Sequence, residues 1–335
     1  MSCLTVEVGN LLLSVIIPAY NCKDTLSAAV FSVAENFKDT EIIIIDDGSA
    51  DETPSVLDDL KSIYSCIVTK RIQNSGPANA RNEGIKLAQG DFVMFVDSDD
   101  TFEKNTFKTV SEALTPDTDL LIFGFRQNFS GRAEDKIYSP DSPFTTDEYY
   151  KNNLLNQVWN KVYRREFLIN NNILFRDYRY GEDRIFNAEV LGHSPVVKTI
   201  AEVLYNYNID KSVSLISGYI PEKFDACKII NRHYSGLCRD KATADYMFLK
   251  NIVSCMTVLF ADNCKLTSKE KKAVIKEIIS DQDVKNAMES KQDSTANEII
   301  RKIIKTENVM LNLLFAFSVS FIQKHFLPFF LKFRK

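Results

Sequence analysis

The sequence predicts an α/β fold, with a mostly parallel sheet covered by helices on both faces. Three observations lead there. Apolar runs of strand length recur at Leu11–Ile17, Ile42–Ile45, Ile67–Ile72 and Phe92–Val96. Stretches with helical periodicity lie between them, giving the order β-α-β-α-β-α-β. Most of these runs end in polar or acidic residues, which a parallel sheet gathers on one rim.

Each element has its own signal. The first run breaks at Pro18-Ala19-Tyr20-Asn21, so a strand stopped by proline is expected. Thr25 to Ala34 carries Leu26, Ala29, Val30 and Val33 on one side of a helix. The second run ends at Asp46-Asp47-Gly48-Ser49, and Ser49 or Asp51 is placed to cap a helix bearing Val56, Leu57 and Leu60. The third run is mixed in polarity and leads to the turn Asn74-Ser75-Gly76-Pro77, with a helix over Ala78–Ala88. The fourth run is continuously apolar, as in a strand buried on both faces. It delivers Asp97, Asp99 and Asp100 to its carboxyl end.

Beyond Asp100, Phe102–Leu114 reads as a helix and Asp119–Phe125 as a strand. The polar stretch Gln127–Asp147 reads as a loop or excursion. Tyr149–Leu168 is aromatic and includes the only tryptophan, Trp159. Gly181–Leu191 is a short helix, Val196–Asn208 suggests two short strands, and the chain is helical from Pro221 onward.

Composition bounds the function. A 335-residue chain with 45% hydrophobic and 26% charged residues is globular. Its formal net charge of −4 argues against nucleic acid as a bulk partner. Seven scattered cysteines without a CxxC pair read as reduced thiols rather than a disulfide framework or zinc site. No basic, apolar leader opens the sequence, so a cytoplasmic location is expected. Neither GxxxxGK[ST] nor a GxGxxG after the first strand occurs. This excludes a P-loop and disfavours a dinucleotide fold. The three acids at 97, 99 and 100 repel one another unless a cation joins them. A hard divalent ion suits such oxygen donors. A solvated acidic turn capping the next helix is the alternative.

Four segments, in order, carry a resemblance. They are Ser14-Val15-Ile16-Ile17-Pro18-Ala19-Tyr20-Asn21, Ile45-Asp46-Asp47-Gly48-Ser49, Asn74-Ser75-Gly76-Pro77-Ala78-Asn79-Ala80-Arg81-Asn82 and Asp97-Ser98-Asp99-Asp100. Together they resemble the inverting family-2 glycosyltransferases of GT-A fold, over residues 12 to about 215. The resemblance implies that Pro18 and Tyr20 line a nucleobase pocket and that Asp47 accepts the imide N–H of uracil. A packed core position for Tyr20, and a turn or cap role for Asp47, are the structural alternatives. Asn74 and Arg81 match nucleotide-contacting positions, although Arg81 could equally pair with an acid of the 97–100 cluster. In the DxD segment, Asp97 and Ser98 fall on the donor side and Asp99 is the implied ligand of Mn²⁺ or Mg²⁺. Asp100 supports them. Gly181-Glu182-Asp183 matches the family's ED pair, with Asp183 the implied base and Glu182 an orienting neighbour. Helix capping is the competing role.

Trp159-Asn160-Lys161-Val162-Tyr163 resembles a WNKxY segment near the donor-sugar and acceptor pocket. Trp159 could equally be a core residue. Tyr205–Ser212 sits where relatives carry a YxYR-type segment, but Asn208 occupies the arginine position and Lys211 is the candidate substitute. His193 and His233 are further metal-ligand candidates by residue type alone.

The end of the chain is different. Val309–Ile322 has no charged residue, and Lys324, Lys332, Arg334 and Lys335 follow. Spanning a bilayer takes about 20 apolar residues. This shorter run reads as an interfacial helix meeting anionic lipid at the inner face of the cell membrane. A buried helix packed on the enzyme or on a second subunit of a homo-oligomer is the alternative. The expected organisation is a catalytic domain over 10–215, a helical region over 216–305 and a membrane-contacting tail over 306–335. The expected activity is transfer from a nucleotide sugar, UDP-linked, to a glycan or lipid-linked acceptor in bacterial surface-polysaccharide synthesis. Two rivals stand beside it. One is a nucleotide-sugar pyrophosphorylase, disfavoured because no Gly-rich basic loop follows the first strand. The other is an inactive scaffold subunit, disfavoured by intact Asp47, Asp97, Asp99 and Asp183.

Overall fold

A computed structural model describes residues 12–36, 40–129, 132–137, 144–208, 218–290 and 295–326. Leu11, Lys211 and the basic end of the tail lie outside the described residues. The chain divides into two compact units. The first comprises Met1–Phe144, Leu155–Asp177 and Glu182–Asp210; the second comprises Thr145–Leu154, Tyr178–Gly181 and Lys211–Lys335.

The first unit is built on one mixed sheet. Its strands are β1 Leu13–Ala19, β2 Thr40–Asp46, β3 Ile67–Arg71, β4 Phe92–Phe95, β5 Thr101–Phe102, β6 Leu120–Phe129, β7 Arg132–Lys136, β8 Lys161–Arg164 and β9 Val197–Asn208. They lie in the order β3-β2-β1-β4-β8-β6-β9-β5, with β7 paired to β6. Strands β3, β2, β1 and β4 are mutually parallel, while β8 runs antiparallel to β4 and β6. Helices α1 Leu26–Ala34, α2 Thr53–Ile63 and α3 Pro77–Leu87 connect the parallel strands. The path runs outward from β1 to β3 and then crosses back to β4. Right-handed crossovers therefore place α1 and α2 on one face and α3 on the other. The strand order reverses between β1 and β4, so a crevice opens at their carboxyl ends.

The expected helix faces appear. Leu26, Ala29, Val30 and Val33 are buried on α1, and Leu57 and Leu60 on α2. Four details differ from expectation. First, β1 runs through Pro18, which pairs with Ile45 of β2. The Ile16 carbonyl accepts from Val96 N–H on the β4 side, and β1–β4 pairing ends at Ile16↔Phe95. Two residues later the Pro18 nitrogen faces that same side, so its missing N–H removes no ladder bond. Second, Ser49 does not cap α2: its hydroxyl accepts from Asn21 N–H, and Asp51 accepts from Thr53 N–H. Third, the Gln127–Asp147 excursion contains the end of β6 and all of β7, a hairpin whose polarity hid its alternation. Fourth, Val197–Asn208 is one strand rather than two. Its register against β6 shifts around Gly124, a bulge that breaks the period of two.

The remaining helices of this unit are α4 Thr106–Ala113, α6 Arg165–Asn170 and α7 Glu182–Gly192, with α5 Thr146–Lys151 falling in the second unit. The expected helix over Phe102–Leu114 starts late, because Thr101 and Phe102 pair with Asn206 and Tyr205 of β9.

The second unit is helical: α8 Lys223–Leu237, α9 Lys241–Thr257, α10 Ser268–Ser280, α11 Gln282–Ala287, α12 Thr295–Lys305 and α13 Val309–His325. Asp240 caps α9, and Thr267 with Glu270 forms a capping box on α10. Among the described residues no helix is long and apolar enough to cross a membrane.

Gly84 shows how closely α3 approaches the sheet. A Cβ there would lie 2.3 Å from Ile16 Cγ2 of β1, which is fully buried. Helix propensity alone favours Gly→Ala by about 1 kcal/mol. Overpacking costs about 1–3 kcal/mol and should win. Urea unfolding of Gly84→Ala is expected to show a net loss of stability; a gain would mean α3 does not sit this close.

Candidate active site

The rim beyond β1, β2 and β4 collects the expected residues. Asp46 and Asp47 leave β2 with different tasks. Asp46 pairs with Arg71 at 3.1 Å and accepts from Ser49 N–H. The Asp47 carboxylate accepts from Ser75 N–H and Gly76 N–H, both at 2.8 Å, and so fixes the turn that opens α3. Gly48 has φ +74°, and a Cβ there would meet Asn74 N at 2.9 Å. Glycine thus lets the two loops touch. Asn74 is exposed on that turn, Pro18 is half-buried, and Tyr20 is 50% exposed at the end of β1. Tyr20 is therefore not a core residue.

Arg81, buried on α3, is the centre of charge. It donates to Asp97 Oδ1 at 2.9 Å and to Asp183 Oδ1 at 3.1 Å, with Glu182 Oε1 at 3.7 Å. Phe175 lies under the guanidinium at 5.4 Å. Asn82 hydrogen-bonds both backbone groups of Phe175, which holds that ring in place. The sequence left Arg81 between a phosphate and an acid; the structure gives it to acids from β4 and α7. Burial opposes its charge, but Asp183, Asp97 and Glu182 outweigh that and raise its pKa further. Three carboxylates share this one cation. Burial, reinforced by Glu182 and Asp97 against the pull of Arg81, pushes Asp183 up to about 7.

The acids of the DxD segment separate by environment. Asp97 is bound to Arg81, Ser98 is half-buried and Asp99 is exposed. Asp100 is buried, where it accepts from Tyr205 Oη at 2.8 Å and from Asn208 N–H at 2.7 Å. Burial, with the charge of Asp97, pushes Asp100 up to about 9. The same Tyr205 oxygen accepts from Asp97 N–H at 3.1 Å, and Asn208 Nδ2 donates to the Asp99 carbonyl at 3.0 Å. The far end of β9 therefore clamps the acidic loop. This is the part that sequence reasoning missed. Asn208 was noted only as a departure from arginine, and Tyr205 was given no role. Tyr207, two residues on, is also drawn in: burial and the charges of Asp100, Asp97 and Asp99 push it up to about 12.

Trp159 and Lys161 are both interior. The Trp159 ring stacks on Tyr205 at 4.3 Å and on Tyr207 at 5.2 Å, with Phe125 edge-on at 4.7 Å. Its packing matches the core alternative, and it backs the tyrosines that hold the acidic loop. Lys161 Nζ donates to Gln157 O and Asn160 Oδ1. Burial pushes it down to about 7, against the raising effect of Asp183. His193 is exposed and His233 is half-buried in the helical unit. Among the described residues no three His, Cys, Asp or Glu side chains form a ready metal cage.

The donor set nonetheless suits a cation shared with a ligand. Mg²⁺ and Mn²⁺ are commonly held by one or two carboxylates plus substrate phosphates. The exposed Asp99 carboxylate, with Asp97 beside it, offers that arrangement.

Comparison with known proteins bears on the family and the fold. Residues 14–171 match the family described as Glycosyl transferase family 2. An uncharacterized glycosyltransferase of Bacillus subtilis (strain 168), EpsJ, is 27% identical over 303 residues, covering 83% of this chain and 86% of its own. The poly(ribitol-phosphate) beta-N-acetylglucosaminyltransferase TarS of Staphylococcus aureus is 26% identical over 254 residues, 70% of this chain but 43% of that protein. The crystal structure of TarS residues 1–349 with UDP-GlcNAc superposes with TM-score 0.68 at 19% identity, covering 94% of this chain and 92% of that one. A mannosyltransferase from Pyrobaculum calidifontis, crystallised with GDP-Man and Mn²⁺, gives TM-score 0.52 at 15% identity, over 93% of this chain and 87% of the other. The fold is therefore GT-A.

Two outcomes test this geometry. Arg81→Met leaves three carboxylates without their cation and is expected to cost about 3–5 kcal/mol at neutral pH. The acids' folded-state pKa values then rise. The missing stability is present at low pH and is lost as pH rises through those values. Urea unfolding should show the deficit shrinking from neutral to mildly acidic pH; a pH-independent deficit contradicts the ion-pair account. Tyr205→Phe removes one hydroxyl that serves two groups, and is expected to cost about 1–3 kcal/mol of unfolding free energy.

Proposed function

The chain belongs to glycosyl transferase family 2, and from that premise we propose that it transfers a sugar, with inversion, from a UDP-sugar to a hydroxyl of a glycan or lipid-linked acceptor. The product is part of a bacterial surface polysaccharide. The observation that carries this reading is the Arg81 bridge. It sets a donor-side acid, Asp97, and a base-side acid, Asp183, on one guanidinium. TarS supports the donor, through the UDP-GlcNAc in its crystal structure, and its activity as a poly(ribitol-phosphate) beta-N-acetylglucosaminyltransferase supports the polymer class.

The residues take roles that their surroundings allow. The exposed Tyr20 ring is available to stack on a base, beside Pro18. Asp47 Oδ1 accepts from the N–H and hydroxyl of Ser75, while Oδ2 accepts from Gly76 N–H and keeps a second lone pair for the uracil imide. Asn74 lies on the turn that Asp47 fixes. Asp97 and Ser98 face the donor's ribose and diphosphate. Asp99 would hold Mn²⁺ or Mg²⁺, which when bound would supply positive charge to stabilise the departing UDP. The manganese of the mannosyltransferase structure supports that cofactor. A diphosphate is a better leaving group than a sugar alkoxide, so a single carboxylate base suffices on the acceptor side. Asp183 takes the proton of the acceptor hydroxyl as its oxygen bonds to the anomeric carbon, and the bond to the diphosphate breaks on the opposite face. Glu182 keeps Asp183 and Arg81 in register. Trp159 and Lys161 act from beneath the sugar pocket, by fixing its wall.

A base held at about 7 must lose its proton before it can act. Activity at saturating donor should therefore rise with pH through about 7 and then level off. Asp183→Asn is expected to lower acceptor-dependent UDP release about 10²–10⁴-fold. UDP binding, followed by calorimetry with Mn²⁺ present, should change only a few-fold. Full turnover by this variant overturns Asp183 as the base. Loss of UDP binding in the wild-type chain overturns the donor.

A further inference from the structure

Helix α13 has its polarity reversed. Its buried side chains are Asn312 and Ala316. Asn312 donates to the carbonyls of Ile303 and Asn308, which ties the inner side of the helix to the last turn of α12 and to its own N-cap residue. Met310, Leu314, Phe317 and Phe321 point outward, at 50%, 58%, 50% and 47% exposure. Their spacing of four, three and four residues puts them on one stripe. The stripe runs along most of a helix of 17 residues, itself about 25 Å long. Leu311 and Ile322 widen it on one flank, and Phe326 continues it past the helix end. A water-facing helix normally shows the opposite pattern.

Charge narrows the choice of occupant. No Asp or Glu occurs from Asn308 to Lys335, although the whole chain has a net charge of −4. That segment carries Lys324, Lys332, Arg334, Lys335 and His325. Lys324 bonds to Asp262 at 2.6 Å, an exposed pair that salt or a competing anion can open. Apart from Asp262 beside Lys324, the apolar stripe leads into a sequence with cations and no acids, which is complementary to an anionic lipid surface.

We propose that α13 lies flat on an anionic membrane, with Met310, Leu314, Phe317 and Phe321 in the acyl boundary and Lys324 at the headgroups. This goes beyond the transfer reaction and does not depend on it. A lipid surface held by the helical unit sets the enzyme where lipid-linked acceptors are found.

The test uses the full chain and flotation with phosphatidylcholine vesicles, with and without phosphatidylglycerol. The wild-type chain is expected to float with the phosphatidylglycerol vesicles and to bind less at high salt. Met310→Asp/Leu314→Asp alters two exposed side chains away from the Phe317–Phe260 contact, so the fold should be retained, as checked by circular dichroism. This variant is expected to partition about tenfold less or weaker, with UDP binding unchanged. Equal flotation of variant and wild type overturns the proposal. So does a wild-type dimer in sedimentation that ignores vesicles and that the variant dissociates, because the stripe would then be a self-association surface. Loss of UDP turnover with flotation intact counts against the transfer reading alone.

Discussion

One guanidinium and three carboxylates set the geometry of the rim. Arg81 comes from α3, Asp97 from the end of β4, and Glu182 with Asp183 from the first turn of α7. Arginine suits this place in a way lysine would not. Its planar fork reaches two acids in different directions with fixed geometry, and its charge survives burial. Among the described residues the Nε atom has no hydrogen-bond partner, and the bonds to the acids come from the terminal nitrogens. A buried cation with too few acids would be costly, and buried acids without the cation more so. Because the acids outnumber the cation, one of them is left holding its proton near neutrality, and the most enclosed of them is Asp183. The same imbalance that constrains folding thereby tunes the group proposed as base.

The acids of the rim are chemically alike and are separated only by what surrounds them. Asp46 and Asp100 are consumed by structure. Asp46 fastens Arg71 and the Ser49 loop, and Asp100 fastens the end of β9. Of their neighbours, Asp47 is also buried and holds the turn before α3, whereas Asp99 is exposed. In the second pair the buried acid anchors the loop, so the exposed one is presented rigidly. Such preorganisation matters because a misplaced carboxylate must be reorganised at the moment of reaction.

This division explains what the sequence could show. The strands, the crevice and the acids at their ends were legible, because β4 and Asp97–Asp100 are contiguous and their chemistry is local. The ED pair was legible for the same reason: two acids opening a helix. Arg81 was half legible, since residue type fixes what it can bond but not which acid comes near; Asp183 lies 102 positions away. Tyr205 was not legible. Its hydroxyl meets Asp100 across 105 positions, through a strand whose bulge disguised it as two. Trp159 was undecided in sequence because stacking on a sugar and stacking on Tyr205 call for the same ring. The hairpin β6–β7 was read as a loop because its polar residues, such as Arg126 with Glu103 and Asp135, pair with one another in space.

The tyrosine clamp also bears on the departure at position 208. Where the family pattern expects an arginine, Asn208 bonds the Asp99 carbonyl and, through its backbone, Asp100. An arginine there would add a positive charge beside the acidic loop. Asparagine adds none, and it spends its side chain on the backbone of the loop instead. Position 208 therefore holds the shape of the acidic loop through its backbone, while the charge of Asp97 in that loop is answered by Arg81.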